Sequence, residues 1–517
     1  MGYISHMIEI VSRRDPDISW EEPWSTPRRK YLLTMSSSLA QSAIAKLKEA
    51  GLGDVLHVPG EQAYQAKEAS LIPLSQKLGP WAIVQPRNTE EVSKAVKALV
   101  STEGLQFAVR SGGHMWVDNS NNIKEGVTID LTLMTKRTYD PKTKLVSLEP
   151  GSRWKDVYRE LVDQGLLVVG GREAEVGVGG FLIGGGLSFF NSSKGWSCDT
   201  IVNFEVVLAD GSIVQANKTT NPDLFLALKG GSANFGIVTR FDMESMESKN
   251  IWCGTAAYPK SATGQLVDAY VDFTNNLSHT PDDYVFLYAF RGAKEEDYAI
   301  SLNFSNMNGV ANPEPLRGLL EIPNPISKPE DFKVKTLYTK LTDYAVPSAN
   351  YTNWEAITVQ VDASVTNKAF AEFDILIEKL RKAIPDNDFI ARIVVQPILK
   401  SWADISASKG GNVLGIENLP GDCLNILVGV EVPSLELREQ VGRPAVKALL
   451  NTVKSFAKSI NKDADWLYLN YCTDGQEPFA TYGAENVKKL KAAAAKYDPN
   501  RVFQERVPGG FKISKAQ

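Results

Sequence analysis

"VRSGGHMW", residues 109–116, decides how the rest of the chain is read. The run before it, Leu105 to Val109, is apolar enough for a buried strand. It breaks into Arg110, Ser111, Gly112 and Gly113 and then presents His114, one of only four histidines in 517 residues. Successive backbone N–H groups in such a turn form a concave nest for an anion. Glycines, lacking Cβ, let the backbone close on a ligand. An imidazole at that point is either an ordinary turn histidine or a nucleophile aimed at something held in the turn.

Working outward, strand and helix patterns alternate. "WAIVQP" (81–86) reads as a strand, and "TEEVSKAVKALVSTEG" (89–104) as a helix opened by Thr89, Glu90 and Glu91 and ended by Gly104. "SSSLAQSAIAKLKEAG" (36–51) is a serine-capped helix ending at Gly51. "GVTIDLT" (126–132) and "LVSLEPG" (145–151) alternate like half-buried strands, and "WKDVYRELVDQGL" (154–166) is a short amphipathic helix.

Residues 166–190, "LLVVGGREAEVGVGGFLIGGGLSFF", hold eight glycines in 25 positions. Each costs close to about 1 kcal/mol against alanine in a helix, so no stable helix is expected there. The stretch is either a set of turns or backbone laid against a flat polyanionic ligand. GxGxxG fails, because Leu182 stands where the third glycine belongs, and there is no Gly-Lys-Ser/Thr ending for a Walker loop. A nucleotide site here is neither Rossmann nor P-loop.

"FEVVLADGSIVQA" (204–216) is a hairpin turning at Asp210-Gly211. From about 249 to 455 glycine density falls and prolines gather in "EIPNPISKPEDF" (321–332). Strands such as "YVFLYAF" (284–290) and "ILVGVEV" (426–432) there alternate with helices, which points to an antiparallel sheet with helices. A length of 517 residues calls for two or three domains.

Apolar content of 43% and charged content of 23% fit a soluble globular protein. A net charge of −5 without a basic block argues against nucleic acid or an anionic membrane as the main partner. No apolar run is long enough to span a bilayer. With no signal-peptide core, His6 where a myristoylation motif needs Ser or Thr, and "KAQ" at the end, a cytoplasmic protein is expected. Cys198, Cys253, Cys423 and Cys472 lack CxxC or zinc spacing, so reduced thiols and no metal are expected.

"PWAIVQPRNTEEVSKAV", "VRSGGHMW", "VGVGGFLIGGGLSFF", "LKGGSANFGIVT" and "YDPNRVF" follow one another in the order seen in berberine-bridge-enzyme-like flavoproteins. These belong to the vanillyl-alcohol-oxidase class of FAD oxidoreductases, and the chain most resembles fungal members. The resemblance is close over about 75–248, good from 465, and loose between. It implies an α+β fold: a PCMH-type FAD-binding domain made from residues 36–248 and 456–517, with its core at about 76–248. An antiparallel-sheet and helix substrate domain, 249–455, is inserted into it, and residues 1–35 form a poorly ordered lead.

The resemblance also implies FAD, bonded through its 8α-methyl carbon to His114. Many relatives carry a second link through a cysteine three residues before the valine of "VGVGG". Here that position is Glu173, so a single link is expected and unactivated sugars become less suitable substrates. Arg110, Ser111, Gly112, Gly113, Val176, Gly177, Val178, Gly179, Gly180, Gly184, Gly185 and Gly186 are the implied contacts to the pyrophosphate and ring. Asn234, Gly236, Ile237 and Val238 would hold the adenosine end, and Asn470 and Asn500 complete the set.

For catalysis, the resemblance sets Tyr471 beside the isoalloxazine and Gln396 and Glu417 over it. Tyr471 also reads as a core tyrosine, and Glu417 as a surface carboxylate. A phenol with an ordinary pKa near 10 needs a cation, or the flavin's own field, to act as a base. The implied activity is an oxidase: hydride passes from an alcohol, sugar-like compound or secondary metabolite to FAD, and O2 reoxidises the flavin to give H2O2. Val176, smaller than leucine, borders the place where O2 reacts. An oxidative cyclase, a dehydrogenase with another acceptor and a redox-silent flavin-binding protein are the alternatives. The expected partners are a small-molecule substrate and O2, with the chain a monomer or weak homodimer.

Overall fold

A computed structural model describes residues 38–327, 332–343 and 350–516, so the lead expected at 1–35 lies outside the described residues. The turn at 109–116 leaves a four-stranded sheet whose order is Leu56–His57, Ala82–Val84, Val127–Asp130 and Phe107–Arg110. The last three strands run parallel, with Arg110 opposite Asp130. Parallel strands need covered faces, and the strand Val127–Asp130 is buried at all four positions.

The helices Ser38–Glu49 and Thr89–Val100 pack on this sheet. The second begins at Thr89, as its acidic turn implied, and Asn88 caps it, accepting the N–H of Glu91 at 2.9 Å. Its end is stapled from far away. The guanidinium of Arg506 donates to the carbonyls of Leu99, Val100, Thr102 and Leu105 at 2.6–2.8 Å. Two of these carbonyls belong to the last turn of the helix and two to the loop that leads into the next strand. Val502, Phe503 and Val507 join the same apolar core as Val96, Leu99 and Phe107.

A five-stranded antiparallel sheet follows, in the order Arg137–Asp140, Leu145–Leu148, Ile237–Glu244, Ile201–Val207 and Ile213–Asn217. The last two form the hairpin, Val207 facing Ile213 and Gly211 turning at φ +78°. The glycine-rich stretch does contain a helix, Val178–Ile183. Its six residues hold because Val178 and Leu182 are fully buried in the core, so packing overrides the glycine penalty.

The third sheet has eight antiparallel strands, from Lys333–Lys335 through Ile251–Tyr258, Ala299–Asn306, Asp283–Arg291, Ile390–Ile398, Cys423–Val432 and Tyr351–Gln360 to Asp463–Ala464. It thus extends past residue 455. The helices Ala363–Ala383 and Arg443–Ser459 pack together and cover part of it. All ten residues of Cys423–Val432 are buried, so both of its faces are covered. Among the described residues no helix is long and apolar enough to cross a membrane.

Candidate active site

A cavity of about 410 Å3 is walled by the glycine turns on one side and by the third sheet on the other. Its floor is where the turn at 111–114 meets the turn at 176–180. A Cβ built on Gly112 would lie 2.5 Å from Gly177 Cα, and one on Gly177 equally close to Gly112 Cα. A Cβ on Gly179 would stand 2.8 Å from Ser111 Oγ. These glycines are needed for one turn to close on the other. Gly180 is different: a Cβ there meets nothing within 4 Å, and the residue lines the cavity.

Several implied contacts sit elsewhere. Arg110 does not line the cavity; it donates to Asp130 through Nε at 3.1 Å and Nη2 at 2.6 Å, both side chains buried. Burial opposes ionisation of Asp130, but Arg110 and the Thr132 hydrogen bonds outweigh it and hold the carboxyl below its ordinary range. Val178 is core. Gly184 packs on Asn470, Gly185 (φ +104°) on Leu414, and Gly186 (φ +88°) on Phe181 and Ser197, so this trio turns the chain behind the cavity wall. Asn234 is buried, donating to the Gly231 carbonyl at 2.9 Å and the Phe511 carbonyl at 3.1 Å. It holds its loop to the tail while Gly236, Ile237 and Val238 form the wall. Asn500 is exposed and outside the cavity.

Ser111, Gly113, His114, Val176 and Asn470 do line it. His114 Nε2 is buried without a hydrogen bond and lies 3.6 Å from Glu173 Oε2. Burial first, then the charge of Arg153, hold its pKa down to about 3, so the imidazole is neutral. At the far end, beside Ile237 and Phe503, Lys512 is buried with Nζ 3.1 Å from the Phe503 carbonyl, and burial lowers it to about 7.

At the sheet end the decisive side chain is Arg172, which the sequence reading missed. Its guanidinium donates to the hydroxyl of Tyr284, to Gln396 Oε1 at 2.7 Å and to Tyr471 Oη at 2.9 Å. It also lies 5.3 Å from the centre of the Tyr284 ring. Burial pushes Tyr284 up to about 12, against the pull of Arg172, so that phenol stays protonated. The only local signal for Arg172 was its being the one basic residue between 166 and 190. Glu417 is not part of this group. It is exposed, accepts from Asn486 Nδ2 at 2.8 Å and lies off the cavity, because Ile416 turns inward and Glu417 outward.

The remaining walls are apolar. Phe286, Val394 and Leu427 project from the third sheet, and Trp116 stacks on Trp354 with ring centres 6.5 Å apart and 18° between planes. The whole suits FAD. The turns offer backbone and an open position at Gly180, the His114 imidazole is neutral and unpartnered at Nε2, and the buried Lys512 can face an anion at the adenosine end.

Comparison with known proteins agrees. A family described as an FAD binding domain matches residues 80–217. The chain is 34% identical over 478 residues to the FAD-dependent monooxygenase drtC of Aspergillus calidoustus, covering 91% of this chain and 90% of that one. It is 31% identical over 439 residues to the bifunctional solanapyrone synthase of Alternaria solani, covering 84% and 82%. In fold it matches berberine bridge enzyme from Eschscholzia californica with TM-score 0.73 at 17% identity, over 91% of this chain and 99% of that one. Xylooligosaccharide oxidase from Myceliophthora thermophila matches with TM-score 0.73 at 20% identity, over the same shares. With its PCMH-type FAD-binding fold and these relatives, the chain belongs to the berberine-bridge-enzyme-like FAD-linked oxidoreductases.

Proposed function

We propose that this FAD-dependent enzyme oxidises an apolar small molecule of secondary metabolism at a hydroxyl or enol group, with FAD linked to His114 and O2 as final acceptor. Bound FAD supplies a two-electron acceptor for hydride that O2 can restore. The observation that carries the reading is the hydrogen bond from Arg172 to Tyr471 at the cavity wall. With the Arg172 guanidinium beside it, the Tyr471 oxygen is placed to take the proton of the substrate hydroxyl as hydride leaves the carbon. Gln396 and Tyr284 hold Arg172 in place.

The sheet side of the cavity argues for the substrate class. Phe286, Val394, Leu427 and the Trp116–Trp354 stack favour a flat hydrocarbon body, whereas a sugar needs hydrogen-bond partners for each hydroxyl. The same walls favour a second reading, oxidation followed by ring closure of a folded polyene. The test is a screen of purified protein with aromatic and allylic alcohols, enolic polyketide-like compounds and oligosaccharides. Hydrogen peroxide release and product structure are the readouts. Peroxide with the apolar set supports the oxidase, an added ring in the product supports the cyclase, and turnover confined to oligosaccharides refutes the substrate class.

A further inference from the structure

We propose that Glu173 prepares His114 for attachment to the flavin: it holds the imidazole with Nε2 toward its carboxylate, leaves Nδ1 as the nucleophile, and accepts the Nε2 proton as the bond forms. This rests on the histidyl link proposed above and assigns a role to the residue standing where related enzymes carry a cysteine.

The geometry is fixed by backbone. Glu173 Oε2 accepts the N–H groups of Glu175 at 2.8 Å and Val176 at 2.9 Å, which anchors the carboxylate to its own turn. That turn continues into Gly177, which meets Gly112 with no room for a Cβ on either side. The turn bearing Glu173 and the turn bearing His114 are therefore locked together, and the 3.6 Å between Glu173 Oε2 and His114 Nε2 follows from that locking.

A neutral imidazole carries one proton, and the group beside each nitrogen decides where it sits. Nε2 is buried with a carboxylate as its neighbour, so the proton belongs there and the lone pair is on Nδ1. Burial and Arg153 keep the ring from taking a second proton that would block attack. Burial raises the Glu173 carboxyl, against the two N–H groups that favour its ionised form, which makes it a stronger base than a surface glutamate.

In the net reaction the flavin 8α C–H bond and the imidazole N–H bond are lost and one C–N bond is gained. The methyl proton goes to solvent and the Nε2 proton to Glu173. The two electrons released would reach dioxygen by way of the bound flavin; with two protons taken up from solvent it leaves as hydrogen peroxide, and Glu173 returns its proton to solvent.

The test uses full-length apoprotein produced under riboflavin starvation and mixed with FAD in air. Acid-insoluble flavin is followed with time from pH 5.5 to 9. Glu173→Gln keeps a carbonyl oxygen to accept the same two N–H groups, so it should bind FAD with the wild-type visible spectrum. It should link flavin at least about tenfold more slowly at pH 7, with a rate that climbs with pH where wild type is level. Glu173→Asp, which keeps an acid, should link faster than Glu173→Gln, and NMR of the flavin peptide should find the bond at Nδ1. Glu173→Gln linking at the wild-type rate and pH profile, equal rates for Asp and Gln, or a bond at Nε2 would each overturn the role of Glu173 while leaving the histidyl link standing. Wild type that binds FAD without any acid-insoluble flavin refutes the link itself, and the role of Glu173 with it.

Discussion

Arg172 Nη2 lies 2.9 Å from Tyr471 Oη, although 299 residues separate the two in sequence. The arginine comes from the turn that carries Glu173 and the tyrosine from the tail. Gln396, on the third sheet, accepts from the same nitrogen at 2.7 Å. One guanidinium thus ties the glycine turn, the sheet and the tail together at the point where a substrate hydroxyl would enter.

Tyr471→Phe keeps the ring packed edge-on against Tyr468, 4.9 Å between centres, and removes only the oxygen. Flavin content should stay at the wild-type level while anaerobic flavin reduction by substrate slows by on the order of 10²–10⁴-fold. Arg172→Met should slow the same step, because it removes the cation that is hydrogen-bonded to the Tyr471 oxygen. A Tyr471→Phe enzyme reducing its flavin at the wild-type rate would exclude this tyrosine as the base.

Glu417→Gln should leave the rate of flavin reduction and its pH profile unchanged, since Glu417 is exposed and bonded to Asn486 off the cavity. Stopped-flow reduction with the same substrate measures it. A loss of tenfold or more would return Glu417 to the reaction.

Two glycine variants should behave oppositely. Gly112→Ala forces a methyl to 2.5 Å from the backbone of Gly177, neither side of which can yield cheaply. The expected loss is about 1–3 kcal/mol or more, read as a lowered Tm and poor flavin retention. Gly180→Ala meets nothing within 4 Å, so its Tm without flavin should match wild type, while FAD binds more weakly because the methyl enters the cavity.

His114 sets a pH dependence in protein prepared without flavin. Its folded pKa is about 3, against roughly 6.5 for a free histidine. Between those values the unfolded chain binds a proton that the folded chain refuses, so stability is lost as pH falls below about 6.5. From pH 7 to 5 this contributes up to about 2 kcal/mol. Urea titrations should show that His114→Gln loses less stability over that interval than wild type; equal losses would show that the folded imidazole protonates normally.

Arg506→Met keeps the aliphatic stem but withdraws the donors from four carbonyls. Destabilisation on the order of 3 kcal/mol is expected, seen as a lower denaturant midpoint. Protection of the Leu99–Leu105 amides from hydrogen exchange should fall with it.

The runs at 81–86, 126–132 and 204–216 were legible locally as strands, the last also by its Asp210-Gly211 turn, but the half-buried alternation expected at 126–132 is absent, since that strand is buried on both faces in a parallel sheet. The glycines were legible as a cluster but not one by one. Nothing near Gly184 in sequence announces Asn470 as its neighbour, and nothing near Gly112 announces Gly177. Arg172 was hidden for the same reason, its partners Tyr284, Gln396 and Tyr471 lying 112 to 299 residues away. Of the two readings of Glu417 the structure places it as the surface carboxylate, because a loose match fixes a stretch but not its register, and one residue separates buried Ile416 from exposed Glu417.

The Arg506 staple also sets an order of assembly. Arg506 and the carbonyl of Leu105 are 401 residues apart, an interval that takes about 20–80 s to synthesise at ~5–20 residues per second. Throughout that time the first parallel strands stand beside a helix end without its Arg506 donors and a core missing Val502, Phe503 and Val507. The adenosine-end wall formed by Phe503, Val507 and Lys512 is missing as well. Flavin capture is therefore an event of the finished chain, and the nascent layer, with apolar strands uncovered for tens of seconds, is the part of this protein that most needs shielding from other chains.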